Sequence, residues 1–193
     1  MNRVVITGAG TINPLGVDVV STTEAMREGR CGIGPLDIPD VDRLSIQIGA
    51  QVKNYDETVH FNRQQIALYD RFTQFTLLAA REAIGQSGLT FSGELADQSG
   101  VVLGTSGGGL NTQDDNYRAV YAEGKNRVHP FIVPKLMNNA AACHVSMEWK
   151  LRGPSFTVAT ACASSNHAMG QAFNMVRSGM AKVMVTGGSE AML

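Results

Sequence analysis

The sequence is poor in the features that most often decide a protein's class. Of 193 residues only three are cysteine, Cys31, Cys143 and Cys162. The number is odd and no pair has C-x-x-C spacing, so neither a disulfide framework nor a zinc site is indicated, and three free thiols are expected. Charge of neither sign is in excess: 16 Lys and Arg stand against 17 Asp and Glu, a formal net charge of −1. That balance removes any bulk field that would draw the chain to nucleic acid or to an anionic membrane. Long apolar runs are missing too. Met1 to Gly8 holds one early Arg and a stretch too short for a signal-peptide core or a bilayer span, which makes the cytoplasm the expected location. No linker, low-complexity segment or short-period repeat divides the chain, so one domain is expected.

What is present is ordinary globular material, 44% hydrophobic and 17% charged, enough for one sizeable core. Arg3 to Thr7 (RVVIT) reads as a buried strand running into the turn-rich GAGTINPLG. Asp18 can cap a helix reaching about Gly29, and Ser45 to Val52 alternates like a half-buried strand. The clearest helix starts after Asp70, carries Phe72, Phe75, Ala79 and Ala83 at three- and four-residue spacing, and ends at Gly88. Gly100 to Gly104 (GVVLG) is a short apolar strand that enters TSGGGLNT, where successive glycines let something approach the backbone closely. After a polar stretch rich in Asp and Asn, PFIVP precedes a helix-like segment from Leu136 to Trp149. Phe156 to Ala161 reads as a strand, Ser164 to Arg177 as a helix closed by Gly179, and Lys182 to Thr186 as a last strand. Strand, helix, strand, helix, strand with short connections predicts an α/β fold built on a sheet with helices on its faces.

Cys162 is the informative residue. It follows the strand FTVATA at once and precedes the helical ASSNHAMGQAFNMVRSG, which puts it at the first turn of a helix. Free N–H groups and the positive end of the helix dipole favour an anion there, and a thiolate is the nucleophilic form of cysteine. Ala161, Ala163 and Ser164 leave room for a substrate carbonyl, and the Cys162 N–H can serve as one oxyanion-hole donor. Against this stands the ordinary behaviour of free cysteine as a small buried hydrophobe. That reading is kept for Cys31 and Cys143; for Cys162, position alone leaves both open.

The other candidates are weaker. His167 lies five residues beyond Cys162, about 1.4 helical turns, which is poorly placed to take the thiol proton. It reads as structural. His60, His129 and His144 have no partner pattern that marks a base, and no acid completes a triad. The methionines of the second half, Met137, Met147, Met169, Met175, Met180 and Met184, suit adaptable packing. VVITGAG starts like a dinucleotide fingerprint, but Asn13 and Pro14 occupy the stretch where the third glycine and helix belong.

Together, RVVITGAGTINPLG, YDRFTQFTLLAAREAIGQSGL, GVVLGTSGGG, the stretch from PFIVP to GPSFTVATACASS, and VMVTGGSEA resemble β-ketoacyl-[acyl carrier protein] synthases of types I and II. ATACASS followed by a helix is the most specific element. The resemblance runs over nearly the whole chain and matches the first half of that family only. It implies a thiolase-like fold, two similar α/β halves in five alternating layers (αβαβα), of which residues 1–193 are the N-terminal half, one mixed sheet with helices on its faces. By resemblance, Cys162 takes an acyl group from acyl carrier protein as a thioester, and malonyl carrier protein then loses CO2 to give the carbanion that attacks it. The family's two catalytic histidines, its lysine and its second oxyanion donor belong to the second half. No cofactor or metal is implied, since the substrates ride on the phosphopantetheine of the carrier protein.

Further residues follow from the same resemblance. Gly107 stands where some type II members carry a bulkier aliphatic residue, Ala161 adjoins the nucleophile, and Ile132 and Val133 match positions that reach across a homodimer interface toward the partner's acyl chain. These four form the expected acyl pocket. Arg63, Lys125 and Arg127 are the expected docking residues for an acidic carrier protein, although Gln64, Ala67 and Leu68 replace basic residues of some relatives. The expected partners are acyl carrier protein, a second copy of the chain and the C-terminal half of the synthase. Three alternatives compete: a proteolytic product or split subunit inactive without a C-terminal half, another thiolase-like acyltransferase or decarboxylase, and a cysteine hydrolase. The last wants a Gly on both sides of the nucleophile, where Thr160 and Ser164 stand.

Overall fold

Local signals set the ends of the longest helices. In the computed structural model, which describes residues 1–192, Asp18 accepts from the Ser21 N–H and heads α1 (Val19–Arg27). Asp70 likewise accepts from Phe72 N–H at the start of α4 (Arg71–Ser87), and Gly88 turns the chain off in the left-handed conformation, φ 65°. A side-chain acceptor supplies the partner that a helix start lacks, and glycine alone takes positive φ without a steric penalty. Gly179, φ 81°, ends α9 (Ser164–Ser178) in the same way.

The core forms around a three-stranded parallel sheet. Its centre is β3 (Ser99–Gly104), paired on one side with β4 (Ser155–Val158) and on the other with β5 (Val183–Gly188). All six residues of β3 are buried, which explains why its sequence is a continuous apolar run with no polar alternation. Helix α9 packs on β3 and β5, α8 (Ala140–Trp149) packs on β3 and β4, and α4 lies against α8. Phe72, Leu77, Val101 and Val145 meet in this core with almost no exposed surface.

Several expectations are corrected. Arg3 to Thr7 forms no strand: Val5 and Ile6 are 59% and 92% exposed. A β-branched run becomes a strand only beside an edge that can take its hydrogen bonds. This one is tied to helices at both ends, through Asn2 N–H to Arg177 O and through Ala9 and Thr11 N–H to the Gln86 and Glu82 side chains of α4. Gly8 and Gly10 lie so close to the carbonyls of Ala83 and Ala79 that a Cβ would have no room. The strand expected over Ser45–Val52 shrinks to β2 (Ile48–Gly49), paired antiparallel with β1 (Gly34–Pro35), where Pro35 has no N–H to extend the ladder. The sheet expected as one mixed layer is therefore divided into a parallel sheet and this separate pair.

The polar stretch after the glycines is helical: α6 (Leu110–Tyr117) runs into a π-helical turn, Arg118–Ala122. The helix expected from Leu136 to Trp149 breaks at Met137–Asn139 into α7 (Ile132–Leu136) and α8. Between α2 (Glu57–His60) and α4 lies the short α3 (Arg63–Leu68). Among the described residues no helix is long and apolar enough to cross a membrane.

Candidate active site

Cys162 stands exposed at the turn between β4 and α9. The strand ends at Val158, three residues earlier than its apolar pattern predicts, because the backbone reverses at Ala161, φ 50°. A residue with a Cβ in that conformation carries roughly 1–3 kcal/mol of strain and needs its surroundings to hold it. Buried Ser164 does so: its hydroxyl accepts from Thr160 N–H at 2.8 Å and donates to Ala161 O at 2.7 Å. Ala163 is the N-cap and Ser164 the first helical residue, so Cys162 lies just ahead of the helix and not within its first turn. His167 is exposed on α9 and its N–H donates to Ala163 O, an ordinary helical bond.

Two glycines bring the start of α9 onto the carboxyl edge of the sheet, the edge where open parallel sheets bind ligands. Gly104, the last residue of β3, lies directly against the Ser164 backbone. At Gly188, the last residue of β5, a Cβ would stand 2.7 Å from Ser165 Cβ. The loop from Thr105 to Gly109 leaves from this point. Its conformation is set by Glu190, which the sequence did not single out. The Glu190 carboxylate accepts from Thr105 Oγ1 (3.0 Å), Ser106 N–H (2.8 Å), Ser106 Oγ (2.8 Å) and Gly107 N–H (3.1 Å). Desolvation raises the pKa of Glu190, but the bonds from Ser106, Gly107 and Thr105 outweigh it and hold the carboxyl below its ordinary value.

The expected acyl-pocket residues are not gathered at one place. Ile132 lines a cleft of about 300 Å³ between α6, the π-helical turn and α7, with Gln113, Tyr117, Val120, Tyr121 and Leu136. Val133 is 57% exposed beside it, and Gly107 joins it only indirectly, since Gly109 N–H donates to Leu136 O. Ala161 and Cys162 do not line this cleft. Arg63 is exposed as the first residue of α3; Lys125 is exposed and paired with Glu123 at 2.6 Å, and Arg127 is exposed on the same loop. Lys135, another residue the sequence reading missed, reaches from α7 to α3 and donates to Ile66 O at 3.3 Å. Among the described residues no group of His, Cys, Asp and Glu could hold a metal ion.

A cysteine turn on the carboxyl edge of a parallel sheet, flanked by a glycine loop, fits many acyl-handling folds; similarity to known proteins decides among them. The family pattern of the β-ketoacyl synthase N-terminal domain matches residues 1–193. The chain belongs to that family. Nodulation protein E of a Rhizobium species is 43% identical over 189 residues, which are 98% of this chain and 47% of that protein. The 3-oxoacyl-[acyl-carrier-protein] synthase 2 of Staphylococcus aureus is 36% identical over 189 residues, 98% of this chain and 46% of that one. The β-ketoacyl synthase domain described here therefore spans about half the length of these relatives.

Solved structures give the same fold at low sequence identity. A β-ketoacyl synthase from Burkholderia phymatum superposes with a TM-score of 0.84 at 24% identity, covering 100% of this chain and 48% of the other. The ishigamide ketosynthase/chain length factor gives 0.88 at 24%, covering 97% and 47%. A type II polyketide ketosynthase solved with its acyl-carrier protein gives 0.83 at 23%, covering 100% and 51%. The expected architecture, the N-terminal half of a ketosynthase fold, is thus the observed one.

Proposed function

We propose that this β-ketoacyl synthase domain supplies the nucleophile of a 3-oxoacyl-[acyl carrier protein] synthase, with Cys162 as the acyl acceptor. The observation that carries the reading is the turn itself: an exposed thiol after a strained residue, braced by Ser164, on the ligand-binding edge of the sheet. Strained backbone held by its surroundings is characteristic of reactive sites. In the first half-reaction the Cys162 thiolate attacks the acyl thioester carbonyl and expels the phosphopantetheine thiol of the carrier protein. In the second, malonyl carrier protein loses CO2, its carbanion attacks the Cys162 thioester, and the thiolate leaves as the β-ketoacyl carrier protein forms. The chain grows by two carbons, and no metal or cofactor takes part.

Acyl carrier protein is the proposed partner, docking on exposed Arg63, Lys125 and Arg127; the structural relative solved with its own carrier protein supports this. Apolar residues exposed around the cleft, Phe131 at 50% and Val133 at 57%, support a homodimer in which Ile132 and Val133 face the partner. The acyl pocket would then be completed by Gly107 and Ala161. In this reading the acid and base of the condensation are the histidines that the family resemblance assigns to the C-terminal half.

A second reading is a module that condenses nothing without a complementary half. The apolar face of α9, where Met169 and Phe173 are 43% and 44% exposed, is a surface such a half could cover. The experiment is condensation by the full-length protein: wild type elongates an acyl carrier protein substrate and Cys162→Ala does not. Elongation by the alanine variant at the wild-type rate would refute the assignment.

A further inference from the structure

The loop that leaves the end of β3 gives four hydrogen bonds to one side chain from much further along the sequence, Glu190. Glu190 lies two residues past the end of β5, yet its carboxylate takes donors from three consecutive residues, Thr105, Ser106 and Gly107. The same short stretch is stitched to the loop elsewhere. Ser189 N–H donates to Gly104 O at 3.1 Å, and Asn111 Nδ2 donates to Ala191 O at 2.8 Å. The Thr105 hydroxyl, while donating to Glu190, accepts from Gly108 N–H at 3.2 Å, so the carboxylate reaches the next glycine through it.

Position 107 shows what the clamp controls. A Cβ placed there would stand 2.6 Å from Leu110 Cδ1 and 3.2 Å from Glu190 Oε1. Glu190 therefore fixes not only the height of the loop but also the space left at Gly107 and the side chain, Leu110, that borders it. The loop springs from Gly104, which touches the Ser164 backbone, and Ser164 in turn holds Thr160 and Ala161, the two residues that lead into Cys162. With the carboxylate gone, the Ser106 and Gly107 N–H groups lose their acceptor, and a glycine run has no side chains to keep its shape.

We infer that Glu190 is a positioning residue that sets the acyl-chain-length profile of transfer to Cys162, by holding Ser106 and Gly107 in place; this rests on the acyl-transfer reading above. Glu190→Gln keeps the size of the side chain but leaves one acceptor oxygen where two took four donors.

The test uses the full-length protein and measures acylation of Cys162 by intact mass, with short, medium and long saturated acyl carrier proteins in competition. Amide exchange over residues 105–109 and the melting temperature are followed in parallel. Glu190→Gln is expected to change the ratio of long to short acylation by about tenfold, with loop exchange faster by a similar factor. A purely structural role would lower the melting temperature and leave the ratio alone. Should Glu190→Gln not fold, Ser106→Ala removes one donor and keeps the carboxylate; a smaller shift in the same direction is expected. Acylation with an unchanged profile overturns the assignment to Glu190 alone. No acylation of wild type by any chain length overturns the acyl-transfer reading, and this inference with it.

Discussion

Asp70 Oδ2 accepts both the N–H and the hydroxyl of Thr112, at 2.8 and 2.6 Å, across 42 residues of sequence. Its other oxygen accepts from Phe72 N–H. One buried carboxylate thus heads two helices, α4 as their shared local cap and α6 from a distance, where Gly109 at the N-cap has no side chain to do so. Asp70→Ala is predicted to cost roughly 2–4 kcal/mol, since it removes a cap and leaves buried donors unpaired. Denaturant unfolding of variant and wild type measures this, and a change below about 0.5 kcal/mol would show that the shared cap contributes little.

The strained turn makes a prediction of opposite sign. Ala161→Gly relieves the left-handed penalty, less the entropy that glycine loses on folding, and is expected to stabilise the domain by about 0.5–1 kcal/mol. Ser164→Ala, which strips the hydrogen bonds to Thr160 N–H and Ala161 O just ahead of Cys162, is expected to destabilise it by about 1–2 kcal/mol. Thermal unfolding of the two variants beside wild type checks both signs, and a less stable Ala161→Gly would mean that Ala161 is not strained.

How much of this was legible beforehand follows the range of the interactions. Asp18, Asp70, Gly88 and Gly179 mark helix ends through contacts within a few residues, and they read correctly from sequence alone. The Cys162 turn was legible as a strand-to-helix junction, but the early end of β4 was not, because Ala161 carries no mark of its positive φ. Arg3 to Thr7 misled because its pattern describes a strand without saying whether an edge is there to receive it. Helix α6 was missed since its start depends on Asp70, and Glu190 was missed since its four donors lie 83 to 85 residues away. Lys135 was overlooked for the same reason: only the fold brings it to α3.

His144 gives a pH dependence. It is partly buried on α8 with its ring 4.4 Å from that of Tyr69, and desolvation lowers its pKa below the ordinary 6.5. The folded state therefore binds its proton less readily than the unfolded state does. The stabilisation is fully present above pH 6.5 and is lost as pH falls below that value toward the folded pKa. Stability measured across this window is predicted to fall on acidification, and to fall less steeply in His144→Phe. Parallel curves for the two proteins would exclude His144 as the cause.

Gly107 bears on chain length. Because a Cβ there already meets Leu110 at 2.6 Å, Gly107→Met must push Leu110 aside as well as fill space near the loop. In the full-length protein the acyl-transfer reading predicts that the variant accepts long acyl chains at least tenfold less well relative to short ones, a loss of roughly 1.4 kcal/mol in discrimination. Competition between acyl carrier proteins of different length measures the ratio, and an unchanged ratio would remove Gly107 from the pocket.

The most direct test of the central claim is acyl transfer itself, followed by intact mass on this domain with an acyl carrier protein donor, Cys162→Ala as control, and a complementary C-terminal half added in a second series. The account predicts a mass gain of one acyl group on wild type, alone or once the second half is present, and none on Cys162→Ala in either series. Acylation of the alanine variant, or none of wild type even with the second half, would contradict it.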